Sequence, residues 1–245
     1  MTARQPDTRL DRIGIFANRD LEDKTVGTQR ERIQSMARKA IDDGWPSDWF
    51  DTVYNEAKLD PGRVPWADLE PNPGLVQWAL ELGLEGAGKR ALTVGCGLGD
   101  DAEFLEGLGF SVTAFDVSRS AVDWCRRRHP STRVRYEVAD VLEPPAQWRG
   151  AFDLVFEAYT LQVLPEAVRR QALVALRGLP APGGKLLLIA RARDPQDPRG
   201  ELPWPLTRAE LDAELLPALQ TETFEDYVDD EASPVRRLRA LYSRL

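Results

Sequence analysis

The chain has 245 residues, which suits one large domain or one domain with an appendage. Hydrophobic residues make up 42%, enough apolar mass for a sizeable core, which argues against wholesale disorder. Lys and Arg number 32 against 40 Asp and Glu, and the resulting net charge of −8 argues against a nucleic-acid binder and against docking on an anionic membrane. The only His is His129, so a multi-His metal site is excluded and no metal is expected. Two Cys cannot make a disulfide scaffold, and a reduced cytoplasm is the expected location. The first twenty residues mix charges and read as neither signal peptide nor anchor, and no run approaches the ~18 apolar residues of a membrane span.

In chain order, residues 1–72 are polar, charged and punctuated by Trp, and are expected to form an N-terminal helical cap. Within them TQRERIQSMARKAIDDGW places Ile33, Met36, Ala37, Ala40 and Ile41 at helical spacing, with Gly44 and Pro46 as the stop. SDWFDTVYNEA predicts a second helix with Ser47 as N-cap and an aromatic face of Trp49, Phe50 and Tyr54. A Pro-rich loop follows, and then LVQWALELGL, a helix entered through Asn72 and Pro73.

Residues 73–245 are expected to form the second unit, a sheet domain. Short apolar runs alternate with helical patterns, which predicts βαβ units and a mostly parallel, doubly wound sheet with helices on both faces. Strands are predicted at 90–96, 111–117, 134–140, 152–159 and 185–192. Ser118 is expected to cap the helix after the second strand, and Thr207 with Glu210 to open a late helix through a capping box. TETFEDYVDD and PVRRLRALYSRL predict a final antiparallel pair, making seven strands; the arginines of the last are expected on a solvated edge.

The sharpest feature is TVGCGLGDD, residues 93–101, which follows a strand and opens a helix. Its glycines are Gly95, Gly97 and Gly99, and Asp100 and Asp101 sit where a dinucleotide would place its pyrophosphate. Two carboxylates there suit a ligand with a cationic amine or sulfonium instead. The next strand ends at Asp116, placed to accept hydrogen bonds from ribose hydroxyls, and the third at Asp140, placed for an exocyclic amine of adenine.

These residues resemble the class I S-adenosylmethionine-dependent methyltransferases. TVGCGLGDD, TAFDVS, EVADV, FDLVFEAY and PGGKLLLIA carry the resemblance, which covers roughly residues 46–210. Gly95, Cys96, Gly97, Gly99 and Asp101 also look like the P-G-C-G-x-G-x-D loop of the thiopurine, thiol and halide branch, and Pro65-Trp66 looks like a P-W pair of that branch. Two departures stand out: the fourth strand ends Glu157-Ala158-Tyr159 where the branch often has Asp-Tyr, and GELPW lacks one proline of its G-P-P turn.

The resemblance implies a Rossmann-like fold, S-adenosyl-L-methionine as methyl donor with S-adenosyl-L-homocysteine as product, and a small-molecule acceptor. It implies cofactor contacts from Gly95, Cys96, Gly97, Gly99, Asp101, Asp116, Val117, Asp140, Val141, Glu157 and Trp66. Trp49, Tyr54, Trp66, Tyr159 and Trp204 are expected to line the acceptor pocket, as parts of a lid or as anchors of the cap. Glu157 and Tyr159 are the candidate bases, since His129 falls at a helix end on the far edge of the sheet. A thiol or other soft nucleophile is the expected acceptor, with oxygen or nitrogen as the alternative. Cys96, Cys125, Trp78 and Trp124 read as packing residues. Monomer and homodimer both stay open, as does the role of residues 1–44.

Overall fold

Runs such as RALTV, SVTAFD and KLLLIA are apolar at successive positions, so both faces of their strands must be covered. The computed structural model, which describes residues 29, 31–230 and 233–245, covers them with one sheet and helices on each side. The strands are β1 (Arg90–Val94), β2 (Ser111–Asp116), β3 (Arg135–Val138), β4 (Phe152–Ala158), β5 (Pro180–Arg191), β6 (Gln220–Val228) and β7 (Arg236–Ser243). They lie in the order β3-β2-β1-β4-β5-β7-β6. The pairs β1–β2, β1–β4, β2–β3 and β4–β5 are parallel, and β7 runs antiparallel to both β5 and β6. The order reverses between β1 and β4, and their carboxyl ends there form the crevice in which ligands of open α/β sheets sit.

The helices are α1 (residues 31–42), α2 (Asp48–Ala57), α3 (Pro73–Glu81), α4 (Asp100–Gly107), α5 (Arg119–Arg128), α6 (Glu166–Leu176) and α7 (Arg208–Leu215). Strand alternation sorts the core into two layers. Leu92, Val94, Val155, Leu186, Leu188 and Tyr242 pack with Leu173 and Leu176 of α6 and Leu211 and Leu215 of α7. On the other face Ala91, Ala114, Leu154, Phe156 and Leu187 pack with Leu75 and Trp78 of α3, Leu105 of α4 and Cys125 of α5.

Local chemistry sets the helix starts. The Asn72 side chain accepts from the N–H groups of Gly74 and Leu75, with Pro73 in the first turn. Ser118 accepts from Ala121 N–H, and Thr207 with Glu210 forms the expected capping box. Ser47 occupies the start of α2 but makes no side-chain cap. On α1, Ala37 is buried and Ile33, Met36 and Ala40 are partly buried against Trp49, Val53 and Leu202. The part of the expected cap before residue 29 lies outside the described residues.

Two strand expectations change. β3 ends at Val138, so Asp140 stands in the following turn, where its own side chain accepts from Leu142 N–H at 2.9 Å. Of the β7 arginines only Arg236 keeps a partly solvated side chain, because β7 inserts between β5 and β6 and its middle residues are buried. Arg237 and Arg239 are 6% and 2% exposed. Arg237 Nε donates to Asp229 at 2.7 Å, and Arg239 donates to Glu225, Glu81 and the Gly74 carbonyl.

Candidate functional site

The crevice is built from the loop between β1 and α4. Gly95 and Gly97 have φ of +58° and +53°, a left-handed region that side chains resist. A Cβ on Gly95 would lie 2.1 Å from Thr160 Oγ1, in the turn after β4, and one on Gly97 would lie 3.2 Å from the Tyr54 hydroxyl. The loop is therefore sandwiched between the β4 turn and α2.

Asp116 stands beneath this loop. One carboxylate oxygen accepts from Gly97 N–H at 3.0 Å and the other from Ser118 N–H at 2.9 Å. Burial pushes its carboxyl up to about 6, against the pull of those two amides. Val117, the next residue, is exposed, whereas Val141 is buried beside the partly buried Asp140. The two aspartates that open α4 diverge. Asp100 turns away to a two-pronged pair with Arg128, at 2.8 and 3.0 Å, which removes it from the group expected to face a cation. Asp101 stays in the crevice, accepting from Asn72 N–H at 2.6 Å, and burial raises its carboxyl to about 6. Cys96 and Cys125 are buried free thiols, and Cys125 Sγ donates to the Gly97 carbonyl at 3.1 Å. The hydrogen bond between the two thiols, then burial, holds the Cys96 thiol well above its ordinary value, as befits a packing residue.

Residues 91–184 match the family model of a methyltransferase domain. The chain is also 33% identical over 147 residues to a ubiquinone biosynthesis O-methyltransferase of Xanthomonas axonopodis pv. citri. That similarity covers 59% of this chain and 59% of the relative, so the chain spans well under two thirds of the relative's length. Among solved structures, it superposes with TM-score 0.64 and 21% identity on a protein studied for the conversion of a disulfide bond into a thioacetal group during echinomycin biosynthesis, covering 81% of this chain and 91% of that one. It superposes with TM-score 0.60 and 24% identity on the N-methyltransferase NodS of Bradyrhizobium japonicum, solved with S-adenosyl-L-homocysteine, covering 79% and 98%. At these identities the solved structures establish the fold.

The N-terminal helices sit on the sheet through α2. Asp51 accepts from Ser118 Oγ at 2.7 Å and Ser120 N–H at 2.9 Å, occupying the start of α5. Trp66 Nε1 donates to the Tyr54 hydroxyl at 2.7 Å. Edge-to-face contacts of 5.8 to 6.4 Å then run from Trp124 through Tyr54 and Trp66 to Trp49. Trp49 and the partly buried Trp204 pack in one cluster with Leu202 and Val163. Gln34 of α1 donates to the Leu202 carbonyl at 3.0 Å, and Trp204 N–H donates to the Gln162 carbonyl at 2.7 Å. The structure thus brings Trp49, Tyr54, Trp66 and Trp204 together beside the turn that follows β4.

Glu157 and Tyr159 frame that turn. Glu157 is fully buried, and its Oε1 accepts from Thr160 N–H at 2.7 Å and Leu161 N–H at 2.9 Å, while Oε2 is buried without a partner among the described residues. Burial pushes the carboxyl up to about 7. Tyr159 takes a φ of +67°, and the Arg237 guanidinium lies 4.7 Å from its ring centroid. Trp78 and Trp124 are core residues, and His129 ends α5. Sequence reasoning missed Asp51, Thr160 and Gln162. Each acts across 60 residues or more, or from within a turn with no motif, and no local signal announces it. Among the described residues no cluster of three or more His, Cys, Asp or Glu could hold a metal, and no helix is long and apolar enough to cross a membrane.

Proposed function

We propose that this chain is an S-adenosyl-L-methionine-dependent methyltransferase of a small molecule. The observation that carries the reading is the pairing of Asp116 with the Gly95–Gly99 loop: a buried carboxylate at the end of β2, 3.0 Å from an amide of a loop whose close approaches only glycine permits. The residues fit the donor. Asp116 with Val117 takes the ribose hydroxyls, Asp140 with Val141 takes the adenine amine, and Asp101 faces the ammonium group. Gly95, Cys96, Gly97 and Gly99 let the backbone come close, while Trp66 and Glu157 close the ends of the crevice.

The donor brings a methyl group already activated on a sulfonium, so the protein's work is proximity, orientation and exclusion of water. Tyr54 and Trp66 cover the loop, and Trp49, Tyr159 and Trp204 wall the acceptor side. Glu157 serves the turn through two amides rather than taking a proton from the acceptor. That arrangement supports an acceptor that ionises without strong help, a thiol or another soft nucleophile, as the loop's likeness to the thiol and halide branch also suggests. A second reading, transfer to oxygen, is favoured by the 33% identity to a ubiquinone biosynthesis O-methyltransferase.

Two measurements test these readings. Calorimetric titration should show binding of S-adenosyl-L-homocysteine and none of NADH; the reverse would overturn the proposal. A donor-consumption assay across thiols, halides, phenols and amines should show turnover with the thiols, and turnover with phenols alone would select oxygen.

A further inference from the structure

Arg169 of α6 is 6% exposed, yet its Nε and Nη1 are buried without a hydrogen-bond partner among the described residues. A guanidinium stays protonated at neutral pH, so two of its nitrogens buried without acceptors carry an uncompensated cost of lost hydration. Two carboxylates act on it through space, Glu210 and Glu166, but both are engaged elsewhere. Glu210 accepts from Arg193 Nη2 at 2.9 Å and from Thr207 N–H at 2.7 Å. Glu166 is shared by Arg170 and Arg199. Arg193 spends its remaining donors on the carbonyls of Pro205, Asp194 and Asp197. The positive charges of Arg193 and Arg199 act on Arg169 as well, in this corner between α6, α7 and the connection after β5.

We infer that Arg169 is the anchor of a binding site for a small oxyanion, a carboxylate or phosphate group. Its planar fork of donors matches such a group two-pronged, and an anion would satisfy the buried nitrogens that no side chain or carbonyl reaches. The place is suggestive: Arg169 N–H bonds the Pro165 carbonyl, at the base of the turn whose Gln162 holds Trp204 and Arg191. The anion is therefore either free in solution or a substituent of the molecule that the turn helps to bind.

Inorganic phosphate, titrated at constant ionic strength against chloride, is the probe, with the melting temperature of the full chain as readout. The wild type should show a saturable rise. Arg169→Met should lose that rise, and without phosphate it should melt about 2–4 °C higher, because an unpaired buried charge has been replaced by an apolar side chain. No phosphate effect, an equal effect in Arg169→Met, or a variant that melts lower without phosphate would overturn the site. Competition between phosphate and the methyl acceptor would assign the anion to the acceptor; binding without inhibition would assign it to a free ion, and either result supports the site. Phosphate binding needs no methyl donor, so its failure leaves the methyltransferase reading untouched.

Discussion

Asp116 carries a testable pH dependence at the scale of one residue. Its carboxyl titrates at about 6 because it is buried, so it is ionised at pH 7.5 and largely protonated at pH 5. A protonated group loses acceptor capacity towards ribose hydroxyls. Affinity for S-adenosyl-L-homocysteine should therefore drop as pH falls below 6, and Asp116→Asn should bind at least tenfold more weakly at pH 7.5. Calorimetric affinity that is flat from pH 5 to 7.5 would remove Asp116 from the ribose site. Glu157 makes a prediction about stability. Its folded value of about 7 lies above the 4.5 of an ordinary Glu, so the folded chain holds the proton more tightly than the unfolded one. That contribution is complete below about pH 4.5 and is lost as pH rises through 7, a change of roughly 3 kcal/mol at most. Glu157→Gln keeps an acceptor for the two amides and lacks the titration. Between pH 5 and 8 its urea midpoint should fall less than that of the wild type. Its turnover should stay within a few fold, whereas a base at this position would require a far larger loss.

The instructive contact between elements is α2 against the glycine loop. Tyr54 covers Gly97 and receives the Trp66 indole N–H, so one hydroxyl ties the Pro-rich segment to the crevice. Tyr54→Phe removes that acceptor from a partly buried donor, at about 1–2 kcal/mol by denaturant unfolding. If the cover holds the methyl donor, KM for the donor should rise several-fold with kcat nearly unchanged. A change confined to kcat would place Tyr54 in the chemical step instead. The elements themselves were largely legible. Asn72–Pro73, Ser118 and Thr207 with Glu210 announced their helices, since each cap is made within three residues of the chain. Arg239 was misjudged because it meets α3 from far along the chain: it reaches the Gly74 carbonyl across 165 positions. The site was legible to the same extent. Gly95, Gly97 and Asp116 belong to local motifs, while the Thr160 contact with Gly95 and the Asp51 contact with Ser118 arise only when distant segments are folded together.

For the molecule as a whole, β7 joins the last hairpin to the parallel sheet, and Arg239 joins that hairpin to α3. The guanidinium is 2% exposed and reaches both Glu225 and the Gly74 carbonyl, while its acidic partners keep roughly half their surface in water. Arg239→Ala should cost about 2–3 kcal/mol in urea unfolding, mostly from the lost buried hydrogen bond to α3 and the lost packing, since exposed carboxylates recover their hydration. A loss under 0.5 kcal/mol would show that α3 and the hairpin are held by apolar packing alone.

The ladder from Trp124 through Tyr54 to Trp66 has a practical consequence. Two of the seven Trp residues flank a tyrosine whose hydroxyl stands over Gly97, so anything that enters the crevice must alter the surroundings of an indole. The chain thus carries its own optical reporter. Intrinsic fluorescence, excited selectively at the indoles, should follow ligand arrival without a label. Trp66→Phe should silence much of that signal.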